Sequence, residues 1–110
     1  MKGIQLAQSR PADTTAVSAY SPDGNETTHI TEILVAETSG SATTYRIFHD
    51  DDGTTYDQTT ALFYDIAISA NTTHIIELNE WMTDEDGNLA VRSGSGNALT
   101  FTVTGEILQK

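Results

Sequence analysis

A chain of 110 residues makes one domain, and its five basic against sixteen acidic side chains leave a net charge of −11. That balance argues against nucleic acid and anionic membranes, which need a basic patch to displace counterions, and the absence of cysteine excludes a disulfide framework and thiolate zinc sites. By surface scaling, a chain of this size buries about 65% of its unfolded surface, enough for one thin core without a large substrate cavity.

The charge is unevenly placed. Residues 1–14 hold Lys2 and Arg10 against Asp13, a net of +1, while residues 15–110 carry −12. The division predicts an N-terminal arm over 1–14 and a folded domain over 15–110. The opening "MKGIQLAQSRPADTT" lacks the apolar core of a signal peptide, and no apolar run reaches transmembrane length. A soluble product made without an export signal is expected.

From there the chain reads as short strands. "TTAVSAY" (14–20) reads as the first strand. "HITEILVAET" (29–38) is β-rich around Ile30, Ile33, Leu34 and Val35, which predicts a central strand covered on both sides near its middle. "TTYRIFHD" (43–50) sets Tyr45 and Ile47 against Arg46 and Phe48. "ALFYDIAI", "THIIEL" and "NLAVRS" follow, and "LNEWMTDED" has room for a single helical turn. "ALTFTVTGEI" (98–107) alternates most cleanly, with Leu99, Phe101, Val103 and Ile107 on one face and Thr100, Thr102, Thr104 and Glu106 on the other.

Small polar phrases punctuate these runs: "SPDGNE", "TSGSA", "DDDGTT", "SANTT", "DEDGN" and "SGSGN". Turn signals roughly every ten to fifteen residues between alternating strands indicate an all-β fold, an antiparallel β-sandwich or jelly roll of about seven or eight strands.

"RIFHDDDGTTYD" (46–57) concentrates acids and a histidine. Asp-Gly is a strong turn pair, because glycine accepts positive φ and aspartate bonds its own backbone. An EF-hand alignment with Asp52 and Gly53 at the fifth and sixth positions puts Phe48 first and Thr59 twelfth, so both essential carboxylates are missing. The second acidic turn, at Asp84–Gly87, fails the same way with Met82 and Ser93. A looser calcium loop on Asp50, Asp52 and Asp57 is the remaining metal reading, and the turn reading is preferred.

Catalytic signals are absent. His29, His49 and His74 lie in or beside strands without a His-x-His pair, and "SGSGN" is followed by neither a helix nor a lysine. No nucleophile elbow occurs. Carboxylate pairs could serve a glycosidase, but the core is too small for a cleft with aromatic platforms. Trp81 with Met82 reads as a rim or interface plug, and the remaining aromatics as core and turn packing. No catalytic residue and no cofactor are expected.

The leader "LAQSRPADTTAVSAYSPDGNETTHI", the Thr-rich "ITEILVAETSGSATTYRIF", "ISANTTHIIEL" and the closing "LAVRSGSGNALTFTVTGEI" together resemble small structural proteins of tailed phages, over about residues 5–108. The resemblance lies in strand and turn phrases, not in a catalytic signature. It implies a sandwich or jelly roll that decorates or cements a capsid, often as a homotrimer, located in the virion after synthesis in the host cytoplasm. The implied partner is the major capsid protein or a tail protein. Under that reading Lys2, Ile4, Leu6 and Arg10 are the candidate docking residues of the arm. Two alternatives stand beside it. One is a tail, collar or fibre-base component. The other is a small carbohydrate-binding module using the loops Asp50–Asp57 and Asp84–Asn88, with or without calcium.

Overall fold

A computed structural model of the chain describes residues 4–24, 26–50, 53–83 and 87–109. These form eight strands and no helix: β1 (Ile4–Ser9), β2 (Val17–Tyr20), β3 (Glu26–Glu37), β4 (Thr43–Asp50), β5 (Ala61–Ile68), β6 (Thr73–Met82), β7 (Asn88–Ser93) and β8 (Leu99–Gln109). β1 pairs with β8, β2 with β7, β3 with β6 and β4 with β5, each antiparallel. One long hairpin rolled up on itself has this pairing. The lateral pairs β3–β8 and β4–β7 then divide the roll into two sheets, β1-β8-β3-β6 (sheet 1) and β2-β7-β4-β5 (sheet 2). That strand order is the jelly roll, and it makes the all-β sandwich expected from the alternation.

The core sits between the sheets. β8 contributes Leu99, Phe101 and Val103, all fully buried, while Thr100, Thr102 and Thr104 face outward as their alternation predicts. Tyr45 and Ile47 enter from β4, Leu89 and Val91 from β7, and Ile30, Ile33 and Val35 from β3. Tyr45 meets Phe101 edge-on, with ring centres 6.2 Å apart, a geometry worth about 1 kcal/mol beyond the area it buries. Polar pairs cross between the sheets at several points. The Tyr20 hydroxyl meets Thr28 at 2.9 Å, that of Tyr45 meets His74 at 2.9 Å, and His49 meets Glu80 at 2.8 Å.

Four local expectations change. Residues 4–9, placed by their charge in an arm outside the domain, form the edge strand β1, with Leu6 and Ala7 packed against the core. "TTAVSAY" therefore supplies the second strand, not the first. β3 is central in sheet 1 but is covered on one face only: a bulge between Ile30 and Glu32 turns Ile30, Ile33 and Val35 inward and leaves Leu34 outside. Finally, Leu78–Met82 continue β6 as strand where a helical turn had room. Glu80 points inward there because His49 receives it.

The close approach at this bulge explains Gly105. A Cβ at that position would lie 2.1 Å from the His29 carbonyl oxygen of the neighbouring strand. Only glycine lets β3 and β8 come that near.

Glu37, at the end of β3, is a buried carboxylate that the sequence reading did not single out. Its Oε2 accepts the N–H and hydroxyl of Ser39, and its Oε1 accepts the N–H groups of Gly40 and Asn71. It thereby fastens the β3–β4 turn to the β5–β6 turn. The Ser39 hydroxyl foremost, and these backbone donors after it, hold its carboxyl down to about 2 from an ordinary 4.5.

Candidate functional site

The predicted docking residues do not converge. Ile4 is 50% exposed at one end of β1, and Leu6 packs inward beside the core. Arg10, beyond the other end, donates to the hydroxyls of Thr38 and Thr100 and to the Asn97 carbonyl. It thereby ties the leader to the adjoining turns. Lys2 lies outside the described residues.

The acidic loop after β4 is built as a turn. Asp50 accepts the N–H groups of Thr54 and Thr55, Gly53 takes φ +69°, and Asp57 accepts the N–H and hydroxyl of Thr59. The Thr59 hydroxyl bond lowers the Asp57 pKa. Asp52 lies outside the described residues, as do residues 84–86 of the second acidic turn. Among the described residues no three metal-binding side chains come together. The loop also covers hydrophobic surface: Phe48 alternates to the outer face of sheet 2 yet is 1% exposed, with the Tyr56 ring 6.0 Å away.

Each histidine has a different environment. His49 and His74 make the inter-sheet contacts to Glu80 and Tyr45. His29 lies on the outer face of sheet 1, bonded to Asn79 at 2.6 Å and stacked on Trp81, ring centres 4.2 Å apart and planes 4° from parallel.

Two outer surfaces emerge that depend on register and were not legible in the sequence. On sheet 2, Arg46 and Arg92 stand directly opposite one another. Like charges so placed repel, and Asp65 relieves the repulsion. Its carboxylate binds Arg46 through two bonds, 2.6 and 3.1 Å, and lies 3.5 Å from Arg92. Arg46 is also stacked over Tyr64 at 4.0 Å. The Arg46 bond, then the charge of both arginines, lowers the Asp65 carboxyl pKa, and the Asp65 bond raises that of Arg46. Asp65 reaches this position from a backbone at φ +54°, which kinks β5.

Sheet 1 presents the opposite character. Glu32 of β3 stands directly opposite Glu77 of β6, and Glu106 of β8 opposite His29. Neither Glu32 nor Glu77 has an ion pair among the described residues. Beside them, Ile75 is 66% and Trp81 49% exposed, both on β6. Among the described residues β6 is an edge strand, pairing with β3 alone.

No family model matches the chain, and no curated protein does. Among solved structures it is similar to a chain in the structure of infectious bursal disease virus, Gx strain, at 11% identity and a TM-score of 0.45, covering 96% of this chain and 30% of that one. A chain of the Gt strain gives the same identity and score, with 31% of its length covered. The present chain thus spans under a third of either neighbour. At that identity and TM-score the likeness says nothing about what this chain does.

Proposed function

We propose that this protein is a non-enzymatic structural component of a virus particle, a capsid decoration or cement protein of a tailed phage. The observation that carries the reading is the jelly-roll strand order of the two sheets, an architecture used by viral capsid domains. The fold alone is shared with unrelated functions. The phage-like phrasing of the sequence supports this choice among them. Since residues 4–9 are already paired with β8, docking in this reading uses the surface of the folded sandwich, not a free arm.

The mechanism is mechanical. A protein that binds only the assembled shell shifts assembly by mass action, and a closed oligomer such as a trimer multiplies weak contacts into avidity. Immunogold labelling of particles from the source lysate tests the assignment. Gold spread over the head is the expected result. Gold confined to the tail or vertex would move the protein to a tail or collar role, and absence of label from both intact and disrupted particles would overturn a virion role.

A further inference from the structure

Sheet edges expose unpaired backbone groups, and natural sheets blunt them. Three of the four edges here are blunted. β2 is four residues long with a register slip, β1 is bulged between Gln5 and Ala7, and β5 is kinked at Asp65 and slips twice against β4. β6 differs. It runs ten residues, about 33 Å, and its alternation of exposed and covered side chains is unbroken. Its one slip against β3, between the Ile30–Glu80 and Glu32–Glu77 pairs, does not disturb that alternation.

The side chains on this strand define what could add to it. Ile75 and Trp81 offer apolar surface on the outer face, and Glu77 sits between them. Glu32 lies directly across from Glu77, an arrangement that costs stability in water unless a cation is supplied. None comes from the chain's own described arginines, because Arg10, Arg46 and Arg92 are engaged elsewhere. A second copy fits poorly. Antiparallel pairing of two β6 edges about their centres would bring the two Glu77 side chains within a residue of each other, between molecules that each carry −11.

We propose that the free edge of β6 receives an extended, cationic segment of a partner protein by strand addition, with its basic side chains over Glu32 and Glu77 and its apolar ones on Ile75 and Trp81. The partner class rests on the virion reading; the site itself does not.

The test uses the full chain, isotope-labelled, and a synthetic ten-residue peptide that carries valine, lysine, lysine and valine along one face with threonine at the alternate positions, with amide hydrogen exchange as the readout. The β6 amides that do not bond to β3 should gain the largest protection in the molecule. Exchanging both acids (E32K with E77K) should weaken binding roughly tenfold or more and transfer preference to the acidic peptide, in which glutamate replaces each lysine. Protection gained elsewhere or nowhere would overturn the proposal. So would equal binding of the acidic peptide by the parent chain, or the same protection arising without peptide as protein concentration rises, which would indicate self-pairing. Particle labelling is a separate readout: unlabelled particles with protected β6 amides would sink the virion reading and leave the strand-addition site intact.

Discussion

Replacing Gly105 with alanine tests the tightest contact in the fold. In an ordinary strand interior this substitution gains roughly 0.5–1 kcal/mol, because glycine loses more chain entropy on folding. Here the new Cβ would lie 2.1 Å from the His29 oxygen and 3.1 Å from its carbonyl carbon, both backbone atoms of β3, and 3.0 Å from the Leu6 Cδ1. The leucine methyl can turn away; the carbonyl cannot. An ordinary carbon–oxygen contact is about 3.3 Å, so β3 and β8 must separate by about 1.2 Å. That stretches one or two ladder hydrogen bonds beyond useful range, at about 1 kcal/mol each. Local overpacking adds about 1–2 kcal/mol. Set against the entropy gain, a net loss of about 1–3.5 kcal/mol follows, opposite in sign to the generic expectation. At about 4 °C per kcal/mol for a domain of this size, thermal melts followed by circular dichroism should show Tm falling by roughly 4–14 °C. A Tm equal to or above that of the parent would refute the close approach, and with it the bulge that turns Ile33 inward.

The bulge makes a second prediction on β3 itself: Ile33→Ala should cost about 2–5 kcal/mol as a buried deletion, while Leu34→Ala, one residue on and outward, should cost about 1 kcal/mol or less in urea unfolding. Equal losses would mean the strand is covered on both faces. Glu37 should make stability acid-sensitive. Its folded pKa of about 2 lies below the ordinary 4.5, so its contribution is complete above 4.5 and disappears as pH falls through 2. Urea midpoints measured across that window should therefore fall less steeply for Glu37→Gln than for the parent. Excess calcium or EDTA should leave Tm unchanged, because Asp50 and Asp57 already accept hydrogen bonds from their own loop; a calcium-dependent rise would restore the loop-site reading.

The sandwich was legible because β8 and β4 alternate without interruption and because the turns carry Gly, Asn and Asp where backbones reverse. What escaped the sequence was everything set by register. β1 reads as a polar leader since Gln5 and Gln8 face outward and a bulge interrupts its period. In β3, the spacing from Ile30 to Ile33 mimics two-sided burial until pairing with β8 exposes the extra residue. The inward direction of Glu80 could not be read from "LNEWMTDED", because its partner His49 is 31 residues away. The opposition of Glu32 to Glu77, and of Arg46 to Arg92, could not be seen before the strands were aligned. In the acidic loop, by contrast, the described Asp50 and Asp57 make the short-range backbone bonds that turn chemistry predicts, because such bonds are local.

The charge distribution gives these pieces a common sense. Each described arginine is engaged internally: Arg10 holds the leader against the turns beside it, while Arg46 and Arg92 share Asp65. Asp65 reaches them from a kinked β5, so one local arrangement both offsets the repulsion of the basic pair and blunts that edge. On the outer face of sheet 1, beside the threonines of β8, Glu77, Ile75 and Trp81 lie along β6, the long edge with unbroken alternation, and Glu32 stands next to them on β3. An edge guarded against its own kind by carboxylates is still open to a strand that carries cations. Negative charge on this face therefore acts as a filter on partners in the strand-addition proposal, opposing the pairing of two β6 edges while leaving the edge available to a basic segment.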